Sequence, residues 1–283
     1  MPTLYHFPPS PYSLRARLAL EEKGVAWESR VIDIIARREN YAPWYVRLHP
    51  GCVVPLLVDG EHTIAESDAI VAFIEEHYAG PKLIPDEGRA RERMQTWVDH
   101  ARSFPLERVH ASLANRTMSR VEGRAFDGRI AHLRRLSKAN PDLADRYAVK
   151  IADMEKKQGF VCAPEPRETM LEVVDGELRA LDEALRESPF LAGPSYSLAE
   201  VYWTPIIGRL GIIGVLDRIQ RFPAVTRWWS SLHARPSFRR ADVWERLKPW
   251  VLAPYLLRAY AVTLLLALLV LAAIVFVAVR VLR

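Results

Sequence analysis

Several residues in the first 80 combine reactive side chains with positions at the ends of short elements. Ser10 and Ser13 lie in PPSPYS, between a β-prone stretch (residues 3–7, TLYHF) and a helix-forming run (13–23, SLRARLALEEK). A hydroxyl at a helix N-terminus can cap the helix, or it can join the helix dipole in stabilising an anion such as a thiolate. Glu66 and Ser67 open a later helix. There a hydroxyl and the first free amides suit a carboxylate and the glutamate suits an ammonium, although capping alone also accounts for Ser67. Pro55 follows Val54 at the start of a strand, a position open to an edge-strand proline. Trp97, His100 and Phe104 share one helical face, which reads either as core or as an apolar pocket wall. Cys52 and Cys162 form no CxxC pair, so a disulfide scaffold and a zinc site are disfavoured and a reducing compartment is favoured. Cys52 reads as a small buried residue, and Cys162 implies no chemistry. No metal-binding HExxH, phosphate loop or dinucleotide fingerprint is present.

The elements that must position these residues follow a clear order. Residues 1–80 read β-α-β, then a helix over 37–48, then β-β-α, with the hairpin Leu56–Val58/His62–Ile64 turning at Asp59-Gly60. After a linker at 80–86, residues 81–250 are helical almost throughout. Ser197 and Glu200 have capping-box spacing ahead of an apolar run. Residues 115–158 hold 11 Lys/Arg against 6 Asp/Glu. This basic section can cover a site, face a membrane, pack on a partner or form a solvated face.

The chain of 283 residues is 50% hydrophobic, but unevenly so. The 21 residues from Ala259 to Val279 carry no charge, and as a helix they span roughly 31 Å, enough for a bilayer core of roughly 30 Å. No second such run exists, which excludes a polytopic membrane protein. The formal charge is +5, of which the three arginines flanking the tail account for all but +2, so nucleic-acid binding is not indicated. Trp250, Tyr255 and Tyr260 fall where an interfacial aromatic belt is expected. The N-terminus lacks the pattern of a signal peptide.

The motifs LYHFPPSPYSLRARLAL, VVPLLVDG, ESDAI and FLAGPSYSLAEVYWTP, in this order, resemble the glutathione transferase superfamily over about residues 3–245. The resemblance implies an α/β thioredoxin-like domain (1–80) and an all-α domain (81–250), followed here by one transmembrane helix (259–279). YVRLHPGCVVPLLVDGEH and WVDHARSFPLERVHASLA are most similar to bacterial chlorohydroquinone reductive dehalogenases, and more loosely to β-etherases. The basic section and anchor resemble the layout of the ganglioside-induced differentiation-associated branch.

By resemblance, glutathione is the co-substrate and no metal is needed. Ser10 donates to the glutathione sulfur, with Ser13 in reserve. Val54, turned outward by a cis bond to Pro55, pairs with the cysteinyl backbone, and Glu66 and Ser67 hold the γ-glutamyl end. Tyr12, Trp97, His100 and Phe104 line the acceptor pocket. The family's Lys or Gln two positions before the proline is replaced here by Val53, for which His49 or Arg47 can substitute. The dehalogenases carry a cysteine where this chain has Tyr12, which argues against reductive dehalogenation. The expected protein is a membrane-anchored, homodimeric glutathione transferase of the detoxifying kind, acting on a hydrophobic electrophile with its N-terminal domain in the cytosol. A non-catalytic scaffold, and a β-etherase or dehalogenase, are the alternatives.

Overall fold

In the computed structural model, residues 1–86, 88–113, 116–259 and 261 are described. Four short strands, β1 (Thr3–His6), β2 (Glu28–Val31), β3 (Leu56–Asp59) and β4 (His62–Ala65), form one sheet in the order β2-β1-β3-β4. β1 and β2 are parallel and joined through helix α1 (Pro11–Glu22), whereas β3 runs antiparallel to both β1 and β4. The β3–β4 pairing closes at Asp59↔His62, and Gly60 takes the positive φ of 57° that this tight turn requires. Helix α3 (Ser67–His77) packs with α1 on one face of the sheet, burying Leu4, Leu18, Leu57, Ile70 and Ile74.

The helix expected over 37–48 is split. Arg38 has a positive φ of 52°, a single 3₁₀ turn covers Glu39–Tyr41, and α2 is only Pro43–Leu48. Ala42 is extended, as a residue before proline prefers, so one continuous helix cannot pass through it.

The helical part comprises α4 (Gly88–Ser103), α5 (Leu106–Leu113), α6 (Arg116–Ala139), α7 (Ala144–Cys162), α8 (Arg167–Glu187), α9 (Leu198–Ile212), α10 (Pro223–His233) and α11 (Pro236–Arg240). α9 is buried all round, and Ser197 and Glu200 form the expected capping box at its start. A side chain at Gly211 would overlap the carbonyl of Glu245, so the glycine permits the C-terminal chain to lie directly on α9.

The basic section forms the α6–α7 hairpin and is not a free solvated face. Leu133, Ile130 and Tyr147 pack with Tyr41, Val46 and Cys52. The Tyr147 hydroxyl donates to the Tyr41 carbonyl at 2.9 Å, Arg146 donates to the Val46 carbonyl at 2.8 Å, and Arg38 donates to the Gly128 carbonyl at 2.8 Å. The hairpin is thereby fastened to the 3₁₀ turn and α2, while Arg134, Arg135, Lys138 and Lys156 stay exposed.

Residues 249–259 are helical. Leu252 and Tyr255 pack on a second small core of Phe7, Ile32, Tyr45, Val54 and Leu56, with the Tyr255 ring set edge-on to Phe7 at 5.6 Å. The body of the protein thus extends past residue 250. Among the described residues no helix is long and apolar enough to cross a membrane. The transmembrane helix expected over 259–279 lies, apart from Ala259 and Ala261, outside the described residues.

Candidate functional site

A cavity of about 600 Å³ lies between the sheet-containing part and the α6–α7 hairpin. Ser10, Val54, Pro55, Glu66 and Ser67 form its floor, and Tyr12, Leu106 and Arg209 stand at its side. Phe126, Lys150, Met154, Lys157, Phe160 and Val161 of α6 and α7 form its roof. Six residues expected from the sequence therefore meet in one place.

Ser10 is the N-cap of α1, and Pro11 occupies the first helical position, where a missing N–H costs nothing. The Ser10 Oγ accepts the Ser13 amide at 3.2 Å, which leaves its own proton to be offered to the cavity. The loop carrying it is clamped from two sides. Arg209 of α9 donates to the Pro9 carbonyl at 2.6 Å, and Arg17 donates to the Pro8 carbonyl at 2.9 Å and the Ala241 carbonyl at 2.8 Å. Arg17 also donates to His6 Nδ1 at 3.1 Å. Burial, reinforced by that guanidinium, lowers the His6 pKa to about 3 and keeps the ring neutral.

Ser67 is the first residue of α3, and Glu66 before it has a φ of 69°. The Ser67 Oγ accepts from Arg15 at 3.2 Å, so this hydroxyl too retains its proton for a ligand. Arg15 is fixed by Asp68 at 2.5 Å and by stacking 3.9 Å above the Tyr202 ring, and Arg102 donates to the other Asp68 oxygen at 2.7 Å. Burial pushes the Asp68 carboxyl up, but Arg15 and Arg102 outweigh it and hold the group below its usual range. The Val54–Pro55 bond is cis, as expected.

Other expectations are corrected. Ser13 lies inside the first turn of α1, is 0% exposed, and accepts the Phe7 amide at 3.3 Å, so it does not reach the cavity. Trp97 and Phe104 are core residues packed against Trp203, whose indole donates to the Trp97 carbonyl at 2.9 Å. His100 is exposed and faces Glu177 at 3.4 Å. The face they share is turned toward α9 and the α8 side, away from the cavity. Of the four acceptor-pocket candidates only Tyr12 lines it. Burial, followed by Glu107, raises the Tyr12 pKa, which keeps the phenol protonated at neutral pH.

Neither substitute for the missing cation at Val53 serves. Burial, then the charge of Lys150, lowers the His49 pKa to about 4, so the ring is neutral at pH 7. Arg47 pairs with Asp142 at 2.9 Å and does not line the cavity. Cys52 does line it, but burial raises its pKa to about 11, and Lys150 and Arg146 offset this only in part. It is a thiol, not a thiolate, at neutral pH. No group of His, Cys, Asp and Glu among the described residues is arranged to hold a metal ion.

Not legible in the sequence were Arg15, Asp68 and Arg209, which act through contacts more than 50 residues away. That the basic section covers a site was one of its expected readings, but which of its side chains form the roof was not foreseen. The one available signal for the roof was the spacing of Lys150, Met154, Lys157 and Val161, which places them on a single face of α7.

Comparison with known proteins gives two family matches: the N-terminal domain of glutathione S-transferase over residues 9–77 and its C-terminal domain over 154–236, together more than half of the chain. The tetrachloro-p-hydroquinone reductive dehalogenase of Sphingobium chlorophenolicum is 28% identical over 85% of this chain and 95% of its own. FtsZ-localized protein A of Caulobacter vibrioides is 28% identical over 87% of this chain and 94% of its own. Among solved structures, the β-etherase LigF of Sphingobium sp. strain SYK-6 superposes with a TM-score of 0.65 at 19% identity, covering 85% of this chain and 98% of that one. With both parts of the fold matched in order and the two matches joined by one continuous cavity, the chain belongs to the glutathione S-transferase superfamily of glutathione-dependent enzymes.

Proposed function

We propose that this protein transfers the glutathione thiol to a hydrophobic electrophile, and that residues 259–279 hold it at a membrane with its body in the cytosol. The observation that carries this reading is one cavity that joins a hydrogen-bonding floor to the apolar side chains Phe126, Met154, Phe160 and Val161 of its roof. The Ser10 hydroxyl, at the N-terminus of α1, donates to the thiolate and lowers the thiol pKa from its free value of about 8.5. Val54 meets the cysteinyl backbone, the Ser67 hydroxyl and the α3 amides take the γ-glutamyl carboxylate, and Glu66 takes the ammonium. Phe126, Met154, Phe160 and Val161 give the acceptor an apolar surface. The thiolate attacks the electrophilic carbon, and the displaced group leaves with the bonding electron pair.

Thioether formation consumes no second thiol, which suits the chemistry of this site. Tyr12 supplies no sulfur, and Cys52 is protonated. β-Ether cleavage is the second reading, favoured by the likeness to a β-etherase, because a thiolate displacing an aryloxide needs the same floor. A homodimer accords with the family. The test is calorimetric titration with glutathione, together with halide release from a chloro- or fluoroaromatic substrate by the purified protein. Saturable binding with glutathione-dependent turnover is expected, and absence of both overturns the reading. Binding without turnover points to the scaffold alternative. For the anchor, a chain ending at Arg258 keeps Leu252 and Tyr255 in place and is expected to leave the membrane fraction folded; retention in that fraction contradicts the assignment.

A further inference from the structure

The roof contains a charge that the proposed chemistry does not use. Lys150 of α7 is only 5% exposed and lines the cavity. Its counter-ion, Asp153 at 2.9 Å, is 37% exposed and is shared with Lys157 at 3.7 Å. An ammonium that has given up its water needs full compensation, and a half-exposed, shared carboxylate supplies only part of it. Asn40, 6% exposed, lines the same cavity. Its Nδ2 is spent on the Cys52 carbonyl at 2.9 Å, while its Oδ1 has no hydrogen-bond partner. Lys150 of the roof and Asn40 of the turn before α2 thus line the cavity together with Cys52, to whose carbonyl Asn40 is bonded, and the charge of Lys150 acts on both His49 and Cys52.

A buried ammonium and a free amide oxygen in one cavity suit a carboxylate with an amide N–H one carbon away. The ammonium takes the carboxylate, and the Asn40 Oδ1 accepts the N–H. A peptide C-terminus is such a group. Glutathione laid along Val54, with its γ-glutamyl zwitterion on Glu66 and Ser67, has one carboxylate left, at the glycyl end. Val53 offers no cation, His49 is neutral, and Arg47 is turned to Asp142. We infer that Lys150, carried by the α6–α7 hairpin, binds the glycyl carboxylate of glutathione while Asn40 accepts the adjoining amide N–H. Resting as it does on glutathione being the co-substrate, this gives the hairpin a binding role: the roof closes by gripping the tripeptide that the floor orients.

The test is calorimetry on the full chain in detergent micelles with glutathione and with its glycyl amide, which lacks the charge, for wild type, Lys150→Met and Lys150→Arg. Wild type is expected to prefer the acid by at least about tenfold, as for a hydrogen bond to a charged group. Lys150→Met removes that preference but changes amide affinity by no more than about twofold, whereas Lys150→Arg keeps most of it. Equal affinity of wild type for acid and amide overturns the inference, as does a Lys150→Met chain with unchanged melting that weakens both ligands alike. Should Lys150→Met fail to fold, the wild-type comparison decides alone. If wild type binds neither ligand, the glutathione reading falls and this inference with it, a result distinct from binding both equally.

Discussion

The cavity floor is assembled from residues 10, 54, 55, 66 and 67, all within the first 80, whereas its roof comes from α6 and α7, between 116 and 162. The floor is positioned by backbone: the Ser10 cap, the β3–β4 register that brings Glu66 beside Pro55, and the first turn of α3. The roof is positioned by packing. Leu133 and Tyr147 lie against Tyr41 and Val46, and hydrogen bonds between residues 90 or more apart hold the hairpin there. The same cavity therefore combines a part whose geometry is locally encoded with a part whose geometry depends on distant contacts. Damage to each should have a different signature.

The largest expected effect is on the roof. Leu133 is fully buried in the hairpin's core, so Leu133→Ala should cost about 4 kcal/mol of hairpin stability. Hydrogen exchange should report faster opening of α6 and α7 while β1, β3 and α3 keep their protection. Uniform loss of protection would mean that floor and roof are one cooperative unit.

Next is acidification. His49 is buried with its pKa lowered to about 4, so the folded state takes up its proton later than the unfolded chain does. Its contribution is complete above pH 6.5 and is lost as pH falls from 6.5 towards 4, a loss on the order of 3 kcal/mol. His6 adds to the same trend. Denaturant titrations at pH 7 and pH 4.5 should show the drop, and His49→Leu should lessen it. An unchanged slope would count against a neutral, buried His49.

A smaller effect separates the roof's chemistry from the floor's. Phe160→Ala, at the apolar roof, should raise KM for an apolar acceptor about tenfold through lost burial. Its effect on glutathione affinity should be slight, and an equal change in both would place the residue against the tripeptide. The smallest expected effect on function is that of Ser13→Ala. It leaves the buried Phe7 amide without its acceptor, costs about 2 kcal/mol of stability, and should barely change kcat/KM. A large fall in kcat/KM with stability intact would restore Ser13 as the reacting hydroxyl.

The same contrast explains what the sequence disclosed. Ser10, Glu66 and Ser67 were readable as helix-opening residues because helix starts leave their mark on neighbouring residues, while their roles toward glutathione came from the family resemblance. The capping box at Ser197 and the hairpin at Asp59-Gly60 were readable for the same reason. The aromatic face of α4 was readable as a face but not as to what it faces. Trp97 and Phe104 met Trp203 of α9, more than 90 residues away, and became core. The 37–48 segment was misread because the extended Ala42 before Pro43 outweighed its helical composition. Lys150, Met154 and Phe160 were hidden because periodicity identifies a helix face without naming its partner, and the excess of lysine and arginine drew attention to the wetted side of the hairpin. Arg209 was hidden because its target is a backbone carbonyl 200 residues away.

The role proposed for Ser10 is to stabilise a glutathione thiolate at the cavity floor. It is tested most directly by ultraviolet difference titration of the thiolate in the glutathione complex of wild type and Ser10→Ala. In wild type the bound thiol is expected to titrate at least about one unit below its free value of about 8.5, and in Ser10→Ala to move back towards that value. A bound thiol that titrates like the free one in wild type, or that is unmoved by Ser10→Ala, would contradict it.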